Sequence, residues 1–381
     1  MTPHGALRSL SAACGEEVSR ILATRLDLLL LTLMPLVLLG SMAAMLWGGS
    51  PHDLRTVIVD RDGGSVARAI VRNIAANRAI KIVGTTPSLD DAMAMIRREA
   101  AVAAVVIPRG VGTRNARGAP VEIFYQTVFL STGALASTSL RVVISTTLAD
   151  RQVRDAALGG VAALHTPLPG VQVTLLGNPT ASLEWYLGLL LGPAILHLLI
   201  AVTCVGSVGL LLDDKAFAAF ARRSPHPAAT LIGRLTPHVA AGTMWTTVWL
   251  LWLTLARGYR AEGSLALIVA GALLLFVATA AVALLLLAAT REVSTALSGA
   301  VIIAGSALAY SGTSLPITGA GLFPRIWSDL LPLTHFLTLQ MDQVLGVSAA
   351  PVARAVAGLL LYPLVAGGIA LWLIVRAGRR V

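Results

Sequence analysis

WYLGLLLGPAILHLLIAVTCVGSVGLLL (Trp185–Leu212), the elbow DDKAFAAFARRSPHP (Asp213–Pro227), and LTPHVAAGTMWTTVWLLWLTLA (Leu235–Ala256) form the passage on which the architecture turns. The two apolar stretches run 28 and 22 residues without a formal charge. A helix climbs about 1.5 Å per residue and a bilayer core needs roughly 20 apolar residues, so each stretch is long enough to cross. The elbow has the charge of a water-facing loop in Asp213, Asp214, Arg222 and Arg223. It also carries Phe217 and Phe220, which are suited to docking. It reads as the place where a partner pushes on a membrane domain.

Composition agrees. The chain is 56% hydrophobic and only 13% charged, against about 25% charged in soluble domains. A mean hydropathy of +0.79 is more apolar surface than an ordinary core can hide. The net charge of +10 is read as arginines at membrane faces, because no basic cluster interleaves with aromatics as a nucleic-acid site would need. Cys14 and Cys204 cannot make a disulfide framework, and Cys204 reads as an apolar filler within a span.

Working outward, residues 1–25 read as an amphipathic helix on the cytoplasmic surface, with Leu7, Leu10, Val18, Ile21 and Leu22 apolar and Arg8, Glu16, Glu17, Arg20 and Arg25 polar. The first span covers 26–47, with Pro35 a potential kink, Asp27 at the headgroups and Trp47 an interface anchor. Residues 48–183 are a different material. From His52 to Leu183 there are 13 arginines and one lysine against 9 acids. Candidate strands at 56–60, 80–83, 101–107 and 121–125 alternate with candidate helices at 62–77, 88–99 and 131–158, which predicts an inserted α/β domain. Further spans are expected near 185–212, 230–256, 263–289, 295–313 and 355–375. The fold class is therefore a polytopic α-helical membrane protein: six transmembrane helices, with an α/β domain between the first and second.

Lysines and arginines set orientation. Short segments holding Arg8, Arg20, Arg25, Lys215, Arg222, Arg223, Arg291, Arg376, Arg379 and Arg380 fall on one side, against Arg257, Arg260, Arg325 and Arg354 on the other. The positive-inside rule places both termini in the cytoplasm and the α/β domain outside. Within the five-helix portion 184–381, the segment 311–351 is unusual. It is rich in glycine and proline, yet it carries Trp327, Leu331, Leu333, Phe336 and Leu337. That predicts a re-entrant or interfacial helical pair, marked by Pro316, Trp327, Pro332 and Phe336.

Catalytic chemistry is not evident. The chain has no G-x-x-x-x-G-K-[ST], no H-E-x-x-H and no C-x-x-C, so no nucleotide cradle, metal site or cofactor is expected. His197 reads as a packed neutral residue, with a proton relay as the alternative; Glu184 reads as a solvated boundary residue. With no evident charges buried mid-span, ion-driven transport is disfavoured, and energy must come from elsewhere.

Several pieces in order resemble ABC-2 type permeases, the membrane subunits of ABC exporters with a large extracytoplasmic domain after the first span. They are Val57-Ile58-Val59-Asp60-Arg61-Asp62, then Ala101 to Pro108, then Leu176-Gly177-Asn178-Pro179 before the second span. Ile232-Gly233-Arg234-Leu235-Thr236-Pro237 follows, then Ser311-Gly312 with Leu315-Pro316, Leu331-Pro332-Leu333-Thr334 and Gly346. The resemblance implies a transport subunit without its own ATPase, in a bacterial inner membrane. It would pair as a homodimer or heterodimer and dock a cytoplasmic ABC ATPase. It would export an amphipathic substrate such as a drug, lipid or glycan. Asp213, Asp214, Phe217, Phe220, Arg222 and Arg223 would form the ATPase-coupling element, and helix 1–25 a second contact. Phe217 and Phe220 share a helix face, and would seat in an ATPase groove or rest on lipid headgroups. The family's Gly-Thr motif after the second span is absent, which is compatible with a second permease carrying the fuller motif. The competing reading is a membrane scaffold or envelope sensor that binds a partner through its outer domain.

Overall fold

The computed structural model describes residues 3–48, 52–111, 121–125, 130–158, 182–212, 219–220, 222, 224–314, 317, 319–346 and 349–379. The chain divides into two compact units, one containing every strand described and the other containing the long apolar helices.

The chain opens with α1 (Pro3–Ala23) and α2 (Arg25–Met45). The strand-containing unit then runs β1 (Leu54–Asp60), α3 (Ser65–Ala76), β2 (Ile80–Thr86), α4 (Leu89–Arg97), β3 (Ala103–Ile107), β4 (Glu122–Tyr125) and α5 (Leu130–Leu158). The sheet order is β2-β1-β3-β4, with β1 parallel to β2 and β3, and β4 antiparallel to β3. A parallel strand covered on both faces is apolar throughout, and β1 and β3 are so covered. Ile58, Val105 and Ile107 pack with Ile70 and Ile74 of α3 and Leu140 of α5. Val57, Val59, Ala104 and Val106 pack with Ala92 and Ile96 of α4 on the other side. Ser88 caps α4 through the amide of Asp91 at 3.3 Å.

The second unit continues with α6 (Leu183–Leu212), α7 (Pro227–Ala256), α8 (Leu265–Thr290), α9 (Val293–Tyr310), α10 (Leu322–Asp329), α11 (Pro332–Leu345) and α12 (Ala349–Arg376). Among the described residues, α2, α6, α7, α8, α9 and α12 are the six helices long and apolar enough to cross a membrane. A tight turn with Arg291 in the left-handed region (φ 56°) separates α8 from α9. Helices α10 and α11 are short and lie between the last two spans.

Prolines lie inside spans at Pro35, Pro193, Pro237 and Pro363, and each leaves a carbonyl without its helical donor, because a proline lacks the N–H that would bond four residues back; the first two are answered in the same way. Pro35 leaves Leu31, and Pro193 leaves Leu189. In each case a side chain from another helix supplies the missing donor. Trp245 Nε1 donates to Leu31 O at 2.9 Å, and Gln340 Nε2 donates to Leu189 O at 2.6 Å. A π-helical turn at Leu29–Leu33 lies just before Pro35, a frequent accommodation of such a break. In hydrocarbon an unsatisfied carbonyl costs several kcal/mol, so each donor both relieves the proline and fixes which helices are neighbours.

Close packing does the rest. Gly188 and Gly192 lie one turn apart on α6, and a Cβ on Gly192 would fall on the indole nitrogen of Trp249. That nitrogen donates to Gly188 O at 2.8 Å. Small residues spaced in this way let two spans approach closely without any hydrophobic drive between them.

Candidate functional site

The polar chemistry of the helical unit is concentrated in two clusters at opposite ends of the antiparallel pair α6–α7. Ser207 of the first and Glu184 of the second are roughly 35 Å apart along α6 at the usual helical rise.

The first cluster is built around Glu17 of α1, whose side chain is fully buried. Its carboxylate accepts from Ser207 Oγ of α6 at 2.7 Å and from His238 Nε2 of α7 at 3.0 Å. Arg20, one turn on, donates through Nε at 3.0 Å, and Arg234 Nε of α7 lies 3.6 Å away. Arg234 also reaches Ser207 O at 3.2 Å, while Arg20 bridges to Asp27 at the start of α2 at 2.7 Å. One carboxylate thus joins α1, α6 and α7, and its arginine carries the link on to α2. Burial by itself would raise the Glu17 pKa. The hydrogen bonds from His238, Arg20 and Ser207 overcome that, and hold the group well below the usual carboxylate range.

The backbone makes the approach possible. A Cβ on Gly233 would fall on the carbonyl oxygen of Leu10, so glycine at this position lets α1 lie directly on α7. The stripe of α1 that buries is Ala13, Glu17 and Ile21, four residues apart. Of the five apolar positions expected on α1, Leu7, Leu10, Val18, Ile21 and Leu22, only Ile21 belongs to this stripe, and Glu17, expected among the polar positions, is buried in it. Leu7, Val18 and Leu22 are exposed at 64%, 41% and 65%, on a different side of the helix. Glu16, its neighbour, is exposed.

The elbow follows α6 at this same end. Phe220 is half-buried and Arg222 is exposed. Asp213, Asp214, Phe217 and Arg223 lie outside the described residues. Ser224, within the elbow, approaches Thr230 of α7 at 3.3 Å between hydroxyl oxygens.

The second cluster is centred on Glu184, which is also fully buried and not solvated as its boundary position suggests. Arg257 Nε donates to both its oxygens at 2.9 and 2.8 Å, and Tyr259 donates at 2.8 Å. The same guanidinium donates to Trp47 O at 2.8 Å and lies 4.7 Å over the Trp47 ring. This ties the end of α2 to the start of α6 and the end of α7.

Residues singled out in 311–351 are spread along α10 and α11, except Pro316, which lies outside the described residues. Trp327 donates to Ser306 of α9 at 3.2 Å. Pro332 opens α11, and Phe336, one turn on, is fully buried against α8 at Gly271. Gln340 continues the same face to Leu189, and the Gln343 side chain accepts from the Ser264 amide at 2.9 Å. His197 meets Thr279 at 2.9 Å in the bundle interior.

A family profile described as "ABC-2 family transporter protein" matches residues 27–372, nearly the whole chain. The chain belongs to the ABC-2 family of transporter permeases. No curated protein matches it. An ABC-2 permease is the membrane subunit of an ABC transporter, generally non-catalytic itself, and works with a cytoplasmic ABC ATPase. In this ABC-2 permease, the Glu17 cluster, which local sequence did not reveal, is the joint at the elbow end of the bundle.

Proposed function

We propose that this permease serves an ATP-driven exporter that carries an amphipathic substrate (drug, lipid or glycan) outward. In this reading both termini are cytoplasmic, residues 48–183 form an outer α/β domain, and two permeases pair, as a homodimer or heterodimer, in a bacterial inner membrane. Helix α1 and the elbow Asp213–Pro227 together receive the movement of the ATPase, and 311–351 closes the outer side.

One observation carries this reading: the buried Glu17 carboxylate bonds simultaneously to α1, α6 and α7. A push on α1 or on the elbow is therefore delivered to the second and third spans together. The arrangement gives an external motor a stiff connection to the bundle, whereas a tail loosely held on the membrane would absorb the movement. The test is the permease co-purified with its ATPase and reconstituted in vesicles. Glu17→Ala should leave ATP hydrolysis within about twofold while lowering substrate movement by about tenfold, a coupling effect of ordinary size. Undiminished transport by that variant would remove the joint from the mechanism.

A further inference from the structure

His197 stands midway along α6 and is only 2% exposed. Its two ring nitrogens meet different surroundings. Thr279 Oγ1 of α8 donates to Leu275 O at 2.8 Å, so its one hydrogen is spent. The 2.9 Å contact between Thr279 Oγ1 and His197 Nδ1 is therefore a bond that the ring donates, which puts the proton on Nδ1. Nε2, on the other side of the ring, is left as a bare acceptor, and it has no hydrogen-bond partner among the described residues.

His197 and Thr279 line a small cavity of about 10 Å³, together with Ala283 of α8, Ala300 and Ala304 of α9 and Pro332 of α11. All six residues are buried. The space is about what one water molecule needs, and it is too small for a lipid chain. An apolar void of this size stays dry, whereas one that holds an unpaired polar atom takes up water. Further bonds are on offer at the same place. Pro332 opens α11, whose first turn has no side-chain cap, and main-chain N–H groups in a first turn have no acceptor within their own helix. The carbonyls of the lining helices each keep a second lone pair. A proton on Nε2 would instead leave a buried imidazolium, a costly charge that no acid in the lining balances.

We propose that this cavity is a binding site for a single water molecule, which donates a hydrogen bond to His197 Nε2 at the junction of α6, α8, α9 and α11. The bare acceptor selects a donor, the volume selects the smallest one, and the lining selects a neutral one. With Nδ1–H held by Thr279 and Nε2 by the water, His197 is a fixed neutral anchor and not a proton relay. The site is about 15 Å along α6 from Ser207 and about 20 Å from Glu184, so it is separate from both clusters. It does not depend on the direction of transport, and the two proposals can fail separately.

The experiment is magic-angle-spinning NMR of the full-length permease in lipid bilayers, with isotope-labelled histidine and the His197 signals assigned through Leu196 and Leu198. In the native protein Nδ1 should carry a proton and Nε2 none, and Nε2 should show a cross-peak to water protons. Its resonance should lie upfield of a bare imidazole nitrogen, as hydrogen bonding to the lone pair requires. Ala300→Val fills the void. It should abolish the water cross-peak and move Nε2 downfield to the bare position, while Nδ1 stays protonated by virtue of Thr279. The native spectrum decides by itself whether the site is filled, even if Ala300→Val does not assemble. A protonated Nε2, a native Nε2 at the bare position without water contact, or a water cross-peak undiminished in Ala300→Val would each overturn the assignment.

Discussion

Gln340 Nε2 lies 2.6 Å from the carbonyl of Leu189, the carbonyl that Pro193 deprives of its helical donor. The two residues are 151 positions apart in sequence. A defect in one span is answered by an amide on the short helix α11, so α11 is held against α6 by a bond that the proline creates.

The dependence is testable as a cycle. Gln340→Leu in the native background leaves the Leu189 carbonyl buried and unsatisfied, which should cost about 1–3 kcal/mol. With Pro193→Ala, an N–H returns to that carbonyl, and the same Gln340→Leu change should cost much less. Thermal unfolding of the four proteins in one detergent gives the coupling directly. Equal costs in both backgrounds would show that Gln340 acts independently of the proline.

Gly233 offers a separate handle on α1. A methyl at this position meets the Leu10 carbonyl, a backbone atom that cannot swing aside. Gly233→Ala should lift α1 from α7, expose it to protease and lower the melting temperature, because the Glu17 bonds to Ser207 and His238 go with it. Overpacking of this kind costs about 1–3 kcal/mol. An α1 that stays as protected as in the native protein would mean the helix shifts to absorb the methyl.

Glu17 should also show in the pH dependence of stability. Its pKa is depressed in the folded protein by the His238, Arg20 and Ser207 bonds, against the opposing effect of burial. A depressed carboxylate contributes stability that is fully present above its unfolded value of about 4.3 and is lost as pH falls through the folded value. The melting-temperature gap between native protein and Glu17→Gln should therefore be constant from about pH 7 to pH 5, and should narrow only on stronger acidification. A gap that changes across neutral pH would point to a different titrating group.

How much of this was legible in the sequence follows from range. The six apolar helices were, because an uncharged run of twenty residues has few other places to go. Strands β1 and β3 were too, from Val57-Ile58-Val59 and Ala103 to Ile107, because a strand buried on both faces is apolar at every position. Glu17 was not: Glu16 and Glu17 are adjacent and chemically alike, and the difference lies in Ser207, Arg234 and His238, about two hundred residues away. Glu184 was misread for the same reason, its position at the edge of an apolar run suggesting water when Arg257 and Tyr259 were waiting. Gly188 and Gly192 did carry a signal, the spacing of small residues that lets spans meet. Pro193 stands within the uncharged run Trp185–Leu212, but nothing local names Gln340 as its answer.

In the proposed coupling route the elbow is the part closest to the motor. Phe220 is half-buried, so it is placed to give an apolar contact at the surface. Replacing Phe217 and Phe220 with Asp adds two charges to that contact while leaving the spans untouched. The permease should still reach the membrane, whereas the ATPase should either dissociate on purification or hydrolyse ATP without transport. Normal co-purification together with normal transport would exclude the elbow from the route.

At the other end, Glu184 and Arg257 form a pair with one side chain fully buried and the other 22% exposed. Removing one member of a buried pair leaves the other charge uncompensated, typically at about 3–5 kcal/mol. Arg257→Ala should cost less than the upper figure, because Tyr259 still donates to Glu184, but it also frees the Trp47 carbonyl. Glu184→Ala leaves Arg257 with Trp47 and with partial access to water, so it should be the milder single change. The double variant should destabilise by less than the sum of the two, since the unpaired charge that each single change creates is then absent. Melting temperatures measured with α1 intact and again in Gly233→Ala should give the same coupling, because the two clusters sit at opposite ends of α6 and α7. A coupling that changed between those backgrounds would mean strain passes along the helices even in the resting protein.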